Sequence, residues 1–347
     1  MNIIIDPTTM NPHLKHIIPN SVYFTQESIE FSDLWNGGET KGNIYAKYNI
    51  DIDLENNIIK RICNTGKKFK NMIFTMSLLS SEQDHQGASY IRWFKMYSQL
   101  YDKYKEYVSG KIIIVDNHGG DYEPEVYLKK YNFHYDIILK RVYSNRNKQK
   151  YSNRTYPYPF IMDTNNDPMY ILVGPNKNIT QTDISLKSKQ IFWAGSIFVY
   201  NEEWDNNNTY EHANRKLIIA NIKRRYPDIL SEKRVPYNIF VKTISTYKYA
   251  LDIRGTSRLN KRLYEILSTN TLLLAEKIDI IWPFENNDKF SDECFFEQGN
   301  VDDLYRIYNN FENDKELYKK CLENQIYIVN KYFNSEWLWN YVKKIIL

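Results

Sequence analysis

The chain has 347 residues, enough for two domains of roughly 150 residues each rather than a single core. Its 46 Lys and Arg against 42 Asp and Glu leave a net charge of +4, too small and too dispersed for a nucleic-acid track, while 42% apolar residues and 30 tyrosines exclude a disordered chain. Cys63, Cys294 and Cys321 have no pair spacing, which excludes a disulfide framework and a cysteine-based zinc site and leaves three reduced thiols.

At the N-terminus Ile3, Ile4 and Ile5 form a short apolar run without a basic flank, so no signal peptide is expected. No stretch approaches the roughly 18 apolar residues of a membrane span, and the expected location is cytoplasmic. The excess of Asn, Ile, Lys and Tyr is what an AT-rich genome produces, which lowers the weight of any single Asn or Lys.

From residue 70 the pattern alternates between strand and helix. Residues 71–78 read as a strand, 90–109 as an amphipathic helix, and 111–115 as a buried strand that stops at Asp116-Asn117-His118-Gly119-Gly120. Residues 136–141 supply another strand. The proline-rich passage 143–175, with Tyr156-Pro157-Tyr158-Pro159 and Asn166-Asp167-Pro168, reads as an interdomain linker. Beyond it come a strand at 190–194, the turn Gly195-Ser196 and a polar loop holding the Asn-rich run 206–208. A helix at 212–225, a strand at 249–253, a helix at 259–268 and a strand at 271–275 follow. Asp302-Asp303 opens a helix, and long helices are expected over 313–332 and 335–347. Such βαβ spacing predicts an α/β fold with parallel sheets.

The strongest local signal is Tyr247-Lys248-Tyr249-Ala250-Leu251-Asp252-Ile253-Arg254-Gly255, followed by Arg258, Arg262 and Glu265. A strand ending in a glycine turn and feeding a helix aims backbone N–H groups and a helix dipole at a ligand above the strand end, which suits phosphate. Arg258, Arg262 and Glu265 share a helix face by their spacing, and a guanidinium there can bind pyrophosphate in a fork. The alternative is a solvated pair of arginines with Glu265 as ion partner. Phe192-Trp193-Ala194-Gly195-Ser196 with Arg215 in the next helix repeats the arrangement.

The order of these pieces, continued by Thr271-Leu272-Leu273-Leu274, Asp302-Asp303-Leu304 and Asn313-Asp314, resembles the C-terminal half of the CAP10-like family. That family includes protein O-glucosyl and O-xylosyl transferases and shares its layout with exostosin-type enzymes. The resemblance covers about residues 190–340. It implies a GT-B fold, two Rossmann-like domains facing a cleft, with the C-terminal helix packing back on the first domain. Residues 1–180 would bind the acceptor, 181–330 a nucleotide-sugar, and 331–347 would form the returning helix. The resemblance further implies that Gly195 and Ser196 line the donor site and that Arg215 and Arg262 bind the diphosphate. The turn Asp252, Arg254, Gly255, Thr256, Ser257, with Arg258 and Glu265 beside it, would approach the nucleotide-sugar, a UDP-sugar by family expectation. Ala194 departs from the pattern, where arginine is frequent. Transfer would invert the anomeric centre and need no metal or other cofactor. The acceptor would be a glycan or glycoprotein.

Inverting transfer needs a base for the acceptor hydroxyl. Asp116, Asp121 and His118 sit after a predicted parallel strand, where open α/β sheets place ligands, and are the first candidates; an ordinary polar turn is the alternative. Asp167 is another, and Glu82, Asp84 and His85 form a loop cluster suited to the acceptor. Asp51-Ile52-Asp53 has the form of a metal-binding D-x-D but begins an acidic run of a kind that arises by composition. A glycosyltransferase is thus the expected function. A non-catalytic nucleotide- or carbohydrate-binding protein on the same fold, or another two-domain sugar-phosphate enzyme, are its alternatives.

Overall fold

Ile3, Ile4 and Ile5 have no exposed surface, as a strand covered on both faces of a parallel sheet requires. They belong to β1 (Asn2–Ile5), which with helix α1 (Leu14–Ile17) and β2 (Ser21–Phe24) opens the chain in a computed structural model. The structure describes residues 1–6, 13–25, 50–76, 88–117, 122–160, 172–173, 179–195, 215–254 and 259–347. The strand–helix alternation read from the sequence starts at residue 70, whereas the fold starts it at residue 2. The missed strands are four residues each, too short to show a period.

Next come α2 (Ile52–Thr65), β3 (Met72–Met76), α3 (Ala88–Tyr104), β4 (Ile112–Asp116), α4 (Pro124–Lys130), β5 (Ile137–Lys140) and β6 (Thr155–Pro157). Helix α2 begins at Asp51, whose side chain accepts from the Leu54 N–H, and stops at Gly66, whose φ of 67° is the left-handed conformation a glycine allows. The D-x-D aspartates are therefore a helix cap and a first-turn residue. The expected helix over 90–109 ends at Tyr104 and tightens into a 3-10 turn before β4.

All pairings in this sheet are parallel, in the order β2-β1-β3-β4-β5-β6. Strand β6 lies inside the passage read as linker. It runs at the sheet edge, where a proline is tolerated because no further strand needs its N–H.

The second sheet holds β7 (Ser188–Trp193), β8 (Leu230–Glu232), β9 (Tyr247–Asp252), β10 (Leu272–Glu276) and β11 (Phe295–Phe296), again all parallel, in the order β11-β10-β9-β7-β8. Its helices are α5 (Arg215–Arg225), α6 (Tyr237–Ser245), α7 (Lys261–Leu267), α8 (Val301–Asn313) and α9 (Lys315–Tyr332). Ile218, Ile219 and Ile222 of α5 and Leu304, Ile307 and Phe311 of α8 bury helical stripes in one core with Tyr249, Leu251 and Leu272 of the strands. Asn300 and Asp314 cap α8 and α9 with side-chain oxygens.

The chain divides into two compact units. One is Met1–Asp167, Ile280–Pro283 and Ser335–Leu347; the other is Pro168–Asp279 and Phe284–Asn334. The final helix, α10 (Ser335–Ile346), therefore belongs to the first unit, where Tyr341 donates to the Pro157 carbonyl at 2.7 Å and Trp337 meets Phe160 edge-on at 6.0 Å.

Candidate functional site

In the second unit the chain builds β7, adds β8 on one side, then crosses to lay β9 on the other. The strand order thus reverses between β7 and β9, and open sheets of this kind bind ligands beyond the carboxyl ends of the strands at such a point. The residues there are Trp193-Ala194-Gly195 and Asp252-Ile253-Arg254. A Cβ at Gly195 would come within 3.0 Å of Trp193 Cζ2, so the absence of a side chain lets the indole close over the strand end.

Two arginines converge on this edge. Arg215 opens α5 and donates from Nε to the Arg254 carbonyl at 2.9 Å. Burial lowers its pKa, against the pull of the Asp252 and Glu276 carboxylates. Arg262, on α7, lies with its guanidinium carbon 4.1 Å from the Phe240 ring centre, and its Nη1 is 3.6 Å from Glu265 Oε2. Glu265 is buried; burial raises its pKa, with Arg262 and Lys261 opposing. Lys261 Nζ stands 4.0 Å from Glu265 Oε1.

Asp252 ends β9 and is 4% exposed, and its Oδ1 is buried without a hydrogen-bond partner among the described residues. Burial pushes its pKa up to about 7, although Asn260, Arg215 and Arg262 pull it down, while Glu276 adds to the rise. A carboxyl group at that value titrates near neutrality beside two guanidinium groups. The adjacent Glu276 ends β10 and is a brace: one oxygen accepts from the Arg254 N–H at 2.8 Å and the other from the Gly299 N–H at 2.9 Å. Sequence reading missed Glu276, though a lone carboxylate closing the apolar run Leu272-Leu273-Leu274-Ala275 was the available signal.

The structure thus brings together Gly195, Arg215, Asp252, Arg262 and Glu265 in the second unit. The Arg254 backbone joins them, but its guanidinium bonds to Gln298 Oε1 at 3.2 Å and to the Lys277 carbonyl, away from the role expected of it. Ser196, Gly255, Thr256, Ser257 and Arg258 lie outside the described residues, and Arg258 precedes Asn260, the cap at which α7 starts.

In the first unit Asp116 ends β4 with no exposed surface. Both its oxygens accept from the Tyr122 hydroxyl at 2.7 Å, and Oδ2 pairs with the equally buried Lys140 at 3.1 Å. Its lone pairs are occupied by a structural ion pair, which is not the environment of a base that must meet a hydroxyl, and β4 does not border the switch point between β1 and β3. At that switch point Asp6 accepts from the hydroxyls of Thr75 and Tyr23. His118, Asp121 and Asp167, with Glu82, Asp84 and His85, lie outside the described residues. Among the described residues no group of three or more His, Cys, Asp or Glu side chains is placed to hold a metal ion, and no helix is long and apolar enough to cross a membrane.

The structure is similar to the crystal structure of a glycosyltransferase from Rickettsia africae ESF-5, with a TM-score of 0.51 and 13% identity over 99% of this chain and 97% of that one. The fold is of the GT-B class. A second similar structure is a mutant of S. aureus TarM in complex with fondaparinux, alpha-GlcNAc-glycerol and UDP. There the TM-score is 0.42 and the identity 11%, over 80% of this chain and 55% of that one. No family model and no curated protein matches the sequence, and the CAP10-like family is left as a resemblance in motif order.

Proposed function

We propose that the chain is an inverting glycosyltransferase that takes a sugar from a nucleotide-sugar, a UDP-sugar in the first instance, to a hydroxyl of a glycan or glycoprotein. The observation that carries this reading is the pairing of Arg215 and Arg262 at the carboxyl edge of β7 and β9, with the buried carboxyls Asp252 and Glu265 beside them. Two guanidinium groups match the two phosphates of a diphosphate.

In this reaction the acceptor oxygen forms a bond to the anomeric carbon from the face opposite the diphosphate, and the nucleoside diphosphate leaves with the bonding electron pair. Arg215 and Arg262 take up the charge that develops on the leaving oxygen, and a base removes the acceptor proton. The second unit binds the donor and the first supplies acceptor and base. With Asp116 occupied by Lys140, the base is sought among Asp121, His118 and Asp167. No resident metal is required in this scheme, because the guanidinium groups do the electrostatic work.

The test is thermal stabilisation of the chain by UDP-, GDP-, TDP- and CMP-sugars with and without EDTA, since a ligand that binds the folded state raises the midpoint. One nucleotide class should stabilise, EDTA should leave the shift intact, and Arg262→Ala should weaken binding by about 1.5–3 kcal/mol. A null result across the panel would remove the donor site. Binding without transfer to any acceptor would favour a nucleotide-binding protein on the same fold.

A further inference from the structure

Between Glu55 and Glu82 the chain carries Lys60, Arg61, Lys67, Lys68 and Lys70 and no acid. The fold gathers these cations at the amino end of the first sheet. Helix α2 stops at Gly66, so Lys67, Lys68 and Lys70 lie on the turn into β3. There the Phe69 N–H donates to the Tyr107 carbonyl at 2.7 Å and the Lys70 N–H to the Met1 carbonyl at 2.6 Å, which sets the turn between the starts of β1 and β4. Lys103, in the last turn of α3, joins them: burial raises the pKa of the Cys63 thiol on α2, and the Lys103 ammonium opposes that rise.

All six cations are exposed, and none has an ion-pair partner among the described residues. On the turns into β3 and β4 and the helix ends that lead to them, these six, with Lys105 and Lys111, meet two acids, Asp102 and Glu106. Asp102 is held by Lys105 Nζ at 2.6 Å. The balance there is +6, or +5 with Asp136 on the neighbouring turn, against +4 for the whole chain. An AT-rich composition supplies lysines but does not sort them onto one end of a sheet. Like charges within about one Debye length, ~8 Å at physiological salt, repel one another, and an anionic partner relieves that repulsion.

The kind of partner follows from what accompanies the charge. Phe69 and Tyr104 among these residues are buried and Tyr107 is half-buried, which leaves no exposed ring for a nucleic-acid base to stack on. Ile62 is buried and Val108 half-buried, so the apolar centre of a protein–protein interface is missing as well. Five of the six cations are lysines, point charges without the fork that reads a fixed phosphate, and fluid headgroups can meet them at any spacing. We propose that the amino end of the first sheet is a docking surface for an anionic lipid bilayer, held by charge rather than by inserted side chains. Docking there leaves the carboxyl end of the same sheet, where Asp116 lies, turned from the bilayer, and it does not depend on the donor-site reading.

The test is co-sedimentation of the full chain with vesicles of phosphatidylcholine alone and of about two parts phosphatidylcholine to one of phosphatidylglycerol. The chain should bind the anionic vesicles only, and about 0.5 M NaCl should release it. Lys67→Gln, Lys68→Gln and Lys70→Gln together should weaken binding about a hundredfold, and each alone about fivefold, with an unchanged melting midpoint. Lys216→Gln, Arg224→Gln and Lys320→Gln, exposed in the second unit, remove the same charge and should leave binding intact. Failure to bind anionic vesicles, equal binding to phosphatidylcholine alone, or an equal loss in the second-unit triple would overturn the assignment. Tighter binding to poly-uridylate at the same charge concentration would give the surface to nucleic acid and overturn it too.

Discussion

Asp252 is where a single side chain sets a pH dependence. Its folded-state pKa near 7 lies above that of an unfolded aspartate, so from about pH 4 upward the folded chain holds a proton that the unfolded chain has released. That contribution to stability is complete below the unfolded value and is lost as the pH rises through 7. Asp252→Asn should therefore flatten the fall in urea stability between about pH 5 and about pH 8 and stabilise at the alkaline end; an unchanged slope would contradict the burial argument. The same ionisation would set Asp252 against the diphosphate for Arg215 and Arg262, so affinity for UDP-glucose should fall over that range and Asp252→Asn should level it. Lys140 makes a contrasting case. With Lys140 and Asp116 both fully buried, Lys140→Ala strands a carboxylate and should cost about 3–5 kcal/mol in denaturant unfolding. Lys140→Met with Asp116→Asn should cost less than the single change, because no charge is left unpaired.

At the scale of elements, the register of β4 against β3 depends on close backbone approach. Lys111 N–H bonds to Asn71 Oδ1 at 3.0 Å and Ser109 N–H to the Phe69 carbonyl at 2.9 Å, bringing the strand entries together. A Cβ at Gly110 would fall 2.1 Å from the Lys70 carbonyl oxygen, a backbone atom that moves only with β3. Gly110→Ala should therefore destabilise by about 1–3 kcal/mol, measured by chemical denaturation; a neutral substitution would mean that β3 and β4 can slide apart at little cost. Nothing in the one-dimensional pattern marks this glycine, since Ser109-Gly110 before a strand reads as any turn. Strands β4, β5, β9 and β10 were legible because each is a buried apolar run closed by a polar or turn residue. Strands β1, β2 and β6 were not, being short and flanked by residues that suggest a terminus or a linker.

For the whole molecule, the first unit is assembled from segments far apart in the chain. Helix α10 buries Leu338, Val342 and Ile346 there, at roughly 1.5–3 kcal/mol each. Ending the chain at Asn334 should therefore lower the melting of that unit by roughly 10–35 °C while sparing nucleotide binding in the second. A calorimetric trace unaltered by the truncation would show that α10 is dispensable.

The local pattern by itself determined the α/β class and the parallel strands, and it marked Arg215 and Arg262 as guanidinium groups following strand ends. These follow from periodicity, burial and turn chemistry within a few residues of each position. Only the tertiary structure decided that Asp116 is committed to Lys140, that Arg254 turns toward Gln298 and Lys277, and that Glu276 braces the edge of β9. Those outcomes depend on partners 22 to 44 positions away. A carboxylate or guanidinium reads the same in sequence whether its lone pairs and N–H groups are spent on such a neighbour or left for a ligand.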